Sequence, residues 1–188
     1  MGKKQKLERF KNITGSVEDF ISGGFSEITS VGEELREAYD NAPDNLKETD
    51  VNTRRDEAAS TIENLSEPSV NSSILGALDC AASIDMGKTY RGRQSQSRAC
   101  RIANGAAQLQ AAVDAINSWL EDNDEIPEVD EHDAASLEQR AAKLKELKEA
   151  EIDPEDYEEA RSEGESLVGD LEEIIGEAEG VDPPGMFG

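Results

Sequence analysis

The chain has 188 residues, with 43 Asp and Glu against 19 Lys and Arg, a net charge of −24, and only 36% hydrophobic and 4% aromatic residues. That is the length of one domain or two small ones, with a core that must rest on Ala, Leu, Ile and Val. Several classes are excluded: no run of about 18 apolar residues spans a membrane, one His and two distant cysteines do not make the usual zinc sets, and the basic start Met1 to Lys11 precedes neither a secretory apolar stretch nor, with Lys at position 6, a myristoylation pattern.

Apolar spacing along the chain has a helical period throughout, with no convincing strand alternation. The first helix begins at Ser16, where Ser16 and Asp19 form a capping-box-like pair. Its stripe runs Val17, Ile21, Phe25, Ile28, Val31, Leu35 and Tyr39. Gly23-Gly24 interrupts it and predicts either a kink or the close approach of another helix. Asn41 to Asn45 ends it, because Pro43 disfavours helix at the residue before it.

Asp50 is expected to cap a second helix with the stripe Val51, Arg55, Ala58, Ile62 and Leu65, closed by Pro68. An Ala-rich third helix is expected over Val70 to Ile84, followed by a loop from Gly87 to Gly92. A fourth spans about Ser95 to Glu121, with the stripe Ile102, Ala106, Leu109, Val113, Ile116 and Leu120 flanked by alanines that let helix axes come close. Trp119 lies near its end.

Glu121 to Asp133 is acidic, with eight acids in thirteen residues. Asp133 is expected to cap a fifth helix carrying Leu137, Ala141, Leu144 and Leu147. Asp153-Pro154-Glu155 restarts a sixth, with an acid at the cap and proline in the first turn. Its stripe is Tyr157, Ala160, Leu167, Leu171, Ile174 and Ala178. The expected fold class is all-α: a helical bundle of about four helices in residues 1–120, an acidic linker at 121–133, an antiparallel helical hairpin arm at 134–179, either packed on the first body or standing off it as a coiled-coil arm, and an extended tail at 180–188.

The charge is uneven. Residues 1–120 hold 14 basic and 18 acidic residues, a net of −4, whereas residues 121–188 hold 5 and 25, a net of −20. A field that negative disfavours nucleic acid or anionic membrane in the last third and suits a basic protein partner or a solvated surface. Cys80 and Cys100 sit among small apolar residues and read as buried thiols in a reducing setting.

Chemistry is thin. Gly87-Lys88-Thr89 imitates the end of a phosphate-binding loop, but the earlier glycine that loop requires is Ala82. His132 stands alone among acids, and acid pairs such as Glu33-Glu34 and Glu158-Glu159 lack metal-loop spacing. No catalytic, metal or cofactor residue is assigned, and no cofactor is expected. Two basic clusters stand out: Lys3, Lys4, Lys6, Arg9 and Lys11, and a second of Lys88, Tyr90, Arg91, Arg93, Arg98 and Arg101, which is the candidate interaction site. It reads either as a contact for phosphate, RNA or an acidic protein surface, or as an internal counter-charge to the acidic arm or a link between two copies.

The stretch Glu33-Glu34-Leu35-Arg36-Glu37-Ala38-Tyr39-Asp40-Asn41-Ala42-Pro43-Asp44-Asn45-Leu46, followed by Thr53-Arg54-Arg55-Asp56-Glu57-Ala58-Ala59, resembles uncharacterised small helical bacteriophage proteins. The likeness covers residues 28–66 and, more loosely, 95–120. It implies a phage setting, in the host cytoplasm or the virion, and carries no catalytic residues. The expectation is a non-enzymatic interaction protein with a structural or assembly role and a phage or host protein partner, self-associating through helix faces. One alternative is an acidic inhibitor of a host defence protein that mimics nucleic-acid charge; the other is a nucleic-acid-associated factor using 88–101.

Overall fold

The computed structural model describes residues 10–70, 84–90, 97–128 and 134–184. In chain order the described elements are β1 (Phe10–Gly15), α1 (Val17–Asp40), α2 (Asp44–Lys47), α3 (Asp50–Glu63), β2 (Ile84–Tyr90), α4 (Arg98–Asp122), α5 (Ala134–Glu149) and α6 (Pro154–Glu179). The helical character follows the stripes. The expected third helix falls almost wholly outside the described residues.

Helix α1 starts where its capping box requires. The Asp19 backbone N–H donates to the Ser16 hydroxyl at 3.1 Å, and the Ser16 N–H donates to the Asp19 carboxylate at 3.0 Å. The Ser16 backbone donor, and then the Ser16 hydroxyl, hold the Asp19 carboxyl below its ordinary range. At α6 the Asp153 side chain accepts from Glu155 N–H at 2.8 Å, as the Asp-Pro-Glu signal requires. Two helix starts differ from expectation. Ser97 caps α4 by accepting from Cys100 N–H. Asp50 lies inside the first turn of α3, whose cap position is Thr49, because the Thr49 hydroxyl donates instead to the Leu46 carbonyl.

Helix α1 lies between α3 and α4, and α4 also packs against α6. The α1–α4 pair is antiparallel: Arg101 meets Glu34 and Glu27, Gly105 meets Gly24, and Gln108 meets Gly23. Of the two outcomes expected at Gly23-Gly24, the structure takes the close approach. A methyl group on Gly24 would lie 2.8 Å from the Gly105 carbonyl oxygen, and one on Gly105 would lie 2.7 Å from that of Gly24. Helix α1 continues unbroken through the pair. A second close approach sets Gly32 under Ile62 of α3.

One core joins these helices, with Phe20, Ile28, Val31 and Leu35 of α1, Ile62 of α3, Leu109, Val113 and Ile116 of α4, and Leu167, Leu171 and Ile174 of α6. Burying each Leu, Ile, Val or Phe stabilises the fold by about 1.5–3 kcal/mol relative to exposure. Helix α6 is therefore not part of an arm standing off the first 120 residues. Its stripe is broadened by Ile175 and by the buried Gly164, and that width fits it to α4. A smaller cluster of Ile126, Leu147 and Tyr157, with Leu144 beside it, ties the end of α5 to the segment after α4.

The sequence reading had no counterpart for the antiparallel ribbon of β1 and β2, in which Phe10 pairs with Tyr90, Lys11 with Thr89, Asn12 with Lys88 and Thr14 with Asp85. One residue of β1, Ile13, there faces two of β2, so β2 carries a bulge at Met86-Gly87. The loop expected from Gly87 is instead the second half of this strand. Ile, Thr and Tyr in β2 favour extended backbone, and Gly87 suits the bulge.

Candidate functional site

The candidate basic cluster divides in the structure. Arg91 and Arg93 lie outside the described residues. Lys88 and Tyr90 belong to β2. Arg98 and Arg101 sit in the first turn of α4 and turn to acids of α1. Arg101 bonds Glu34 at 2.6 Å, Ser30 at 2.7 Å and Glu27 at 3.3 Å, and Arg98 lies 3.8 Å from Glu34. Burial pulls the Arg101 pKa down, but the hydrogen bonds and charges of Glu34 and Glu27 outweigh it and hold it above the ordinary value. These two arginines are paired within the chain, with acids of α1 and not of the acidic last third. The signal was present in the sequence: Glu27, Ser30 and Glu34 are spaced three and four apart, on one helix face.

Other arginines play the same part. Arg36 of α1 bonds Asp56, Ser60 and Glu63 of α3. Arg54 of α3 pairs with Asp182 after α6. Arg161 of α6 donates to the Leu120 carbonyl at 3.0 Å and to the Asn123 carbonyl, closing the C-terminal end of α4, and pairs with Glu165. Arg140 reaches the Pro127 carbonyl at 3.0 Å, and the Tyr157 hydroxyl reaches that of Asp124 at 2.8 Å. The acidic segment after α4 is thus held by donors from α5 and α6.

The Arg36 hydrogen bond, and to a lesser degree its charge, hold the Glu63 carboxyl below its ordinary value of 4.5. A carboxyl depressed in the folded state contributes stability above that value and loses it as pH falls through the lower folded value. Glu63→Gln is therefore expected to lower the denaturation midpoint at pH 7 and to leave it nearly unchanged at pH 3, checked by urea unfolding at both pH values. The pair is part-exposed, so the effect at pH 7 is within about 1 kcal/mol.

With the cations so engaged, α6 presents acid to solvent. It carries eleven Asp and Glu and one Arg, and ten of its carboxylates are exposed. Asp170, Glu172, Glu173 and Glu177 make no ion pair among the described residues. Between residues 64–68 and α6 runs a groove of about 250 Å³, with Leu65, Pro68 and Ile174 in its wall and Glu67, Asp170, Glu173 and Glu177 around it. Apolar walls with acidic rims suit the long stem and charged head of Lys or Arg.

Among the described residues no three or more His, Cys, Asp or Glu are placed to hold a metal ion, and no helix is long and apolar enough to cross a membrane. His132 and Cys80 lie outside those residues. Cys100, expected to be buried, is an exposed free thiol, because the first turn of α4 lies at the edge of the core. Gly24 lies on Gly105 within the chain, and Ala106 and Ala112 are buried in its core, whereas Ala99, Ala103 and Ala107 on the other side of α4 are exposed. Comparison with known proteins finds no family model, no curated protein and no solved structure that matches the chain.

Proposed function

We propose that this chain is a non-enzymatic interaction protein whose four long helices form a bundle scaffold, with α5 folded back as a short hairpin beside α6, and that the α6 face with its groove docks a basic segment of a protein partner. One observation carries the reading. Among the described residues Arg36, Arg54, Arg98, Arg101 and Arg161 are engaged in contacts between elements, while ten α6 carboxylates stay exposed. A structural or assembly role in a bacteriophage is the setting favoured by the resemblance over residues 28–66. The proposal needs no second copy.

The test is titration of the chain with a lysine-rich peptide of about ten residues. A variant with Asp170→Asn, Glu172→Gln, Glu173→Gln and Glu177→Gln is compared with one neutralised at four exposed acids elsewhere, Glu18, Glu33, Glu37 and Glu48. Wild type is expected to bind at low salt and weaken steeply as salt rises. The α6 variant is expected to lose at least about tenfold in affinity, roughly 1.4 kcal/mol, while the other keeps most of it. Equal loss in both variants would mean that net charge alone attracts the peptide and that α6 is no docking face.

A further inference from the structure

Helix α5 is held differently from the other long helices. Helices α1, α4 and α6 each bury eight residues. Among residues 135–149 only Leu147 is buried. Leu147 and the part-buried Leu144 meet Ile126 and Tyr157. The Lys143 ammonium lies 5.2 Å from the centre of the Tyr157 ring, and Arg140 donates to the Pro127 carbonyl at 3.0 Å. Tyr157 is the hub of these contacts, and its hydroxyl donates to the Asp124 carbonyl at 2.8 Å. This small core shares no residue with the main one. On the outer side of α5, Leu137 is 46% exposed, and Ala141 and Ala142 are exposed as well. At the turn into α6 the Ile152 N–H donates to the Leu147 carbonyl at 2.9 Å and the Glu151 N–H to that of Lys148 at 3.3 Å. That double closure places its middle residue in the left-handed region, where glycine is usual. Here it is Glu151, with φ 60°, and its side chain crowds the following carbonyl.

We propose that α5 is a strap that opens as one unit while the other long helices stay folded, with Tyr157 as its latch and residues 150–153 as its pivot. The main core keeps all its residues when α5 leaves, because the two cores are separate. A helix of 16 residues with no partner face is marginal in water. The freed strap therefore loses its helix instead of swinging out intact, and opening is an order–disorder step. It uncovers Ile126 and Tyr157 and relieves the crowding at Glu151. It also moves charge. Helix α5 carries four of the five cations of residues 121–188, namely Arg140, Lys143, Lys145 and Lys148, against three acids. In the closed state Arg140 and Lys143 are turned onto Pro127 and Tyr157. In the open state all four cations lie on an unfolded tether beside the acidic α6. This inference is separate from the docking reading of α6, and either can fail without the other.

The experiment is native-state hydrogen exchange of the full chain, read amide by amide by NMR over a series of low denaturant concentrations. The α5 amides are expected to share one opening equilibrium, with a lower free energy and a weaker denaturant dependence than the amides of α1, α4 and α6. Tyr157→Phe, which keeps the ring and removes the bond to Asp124, is expected to speed α5 exchange about three- to tenfold. Leu147→Ala is expected to speed it at least about thirtyfold. Glu151→Gly is expected to slow it, because glycine takes the left-handed position without crowding. Leu137→Ala, on the exposed side, is expected to change it by no more than about twofold. In every variant the amides of α1 and α4 are expected to exchange as in wild type. Four results would overturn the proposal: α5 amides without protection in wild type, α5 amides that open only with α1 and α4, a graded series of opening free energies along α5, or Tyr157→Phe and Leu147→Ala variants whose α5 exchanges like wild type.

Discussion

Gly105→Ala is expected to destabilise the protein by about 2–3 kcal/mol, the upper part of the range for forcing an extra carbon into a packed site. For a chain of this size that is a fall in melting temperature of roughly 4–12 °C. The new methyl group would sit 2.7 Å from the Gly24 carbonyl oxygen and equally close to Ile28, so two helix backbones must separate to admit it. The sign is the diagnostic part. In an exposed helix interior, alanine is better than glycine by up to about 1 kcal/mol. Gly169 and Gly176 of α6 have nothing within 4 Å of an added methyl group, so Gly169→Ala and Gly176→Ala are expected to raise the melting temperature. Thermal unfolding of the three variants side by side checks both halves. A Gly105→Ala protein as stable as wild type would mean that α1 and α4 do not meet at these glycines.

Arg161→Ala is expected to have the next largest effect, about 1–2 kcal/mol, because it leaves part-buried acceptors without their donor. The guanidinium is only 11% exposed and serves two carbonyls at the end of α4 along with Glu165. The last carbonyls of a helix have no partner within it, and here another helix supplies one. Lysine is not expected to rescue the loss, since an ammonium group lacks the fork that reaches two carbonyls and a carboxylate together. Chemical denaturation of Arg161→Ala and Arg161→Lys checks the magnitude. Hydrogen exchange faster in the last turn of α4 than in α1 checks the location.

Much of this helical frame is readable from the residues. The stripes of α1, α4 and α6 name the core residues because a helix repeats its buried face every three to four positions. Ser16 with Asp19, and Asp153 before Pro154, mark two helix starts because their side chains take up backbone donors nearby in sequence. Gly23-Gly24 marks a helix contact because only glycine admits a backbone so close. In each case the deciding interaction is local, or its consequence is a local choice of residue.

What the residues did not show is non-local. The β1–β2 ribbon pairs backbone groups across the whole of α1, α2 and α3, and backbone pairing leaves no periodic trace in strands this short. Whether the helices after residue 133 pack on the first body or stand off it is left open by the residues for a related reason. Asp153-Pro154 predicts a turn correctly, but a turn does not choose the partner of the helix that follows, and the wide apolar face of α6 finds α4. The candidate site shows the same division. Arg98 and Arg101 look like a free basic patch with Arg91 and Arg93 until α1 places Glu27 and Glu34 opposite them. Charge composition identifies the acidic third, but only the packing of α6 decides which carboxylates face water.

The central claim is that Asp170, Glu172, Glu173 and Glu177 of α6 are exposed and make no ion pair among the described residues, while Arg36, Arg101 and Arg161 join elements of the fold. The most direct test is the melting temperature of the Asp170→Asn, Glu172→Gln, Glu173→Gln, Glu177→Gln variant against wild type, at low salt and at about 1 M. Like charges three and four apart on a helix repel by a few tenths of a kcal/mol per pair. Neutralising them is therefore expected to raise the melting temperature at low salt, and the gain is expected to vanish at about 1 M, where the screening length is about 3 Å. A variant that melts lower than wild type at low salt would contradict the account, because it would show those carboxylates paired within the chain.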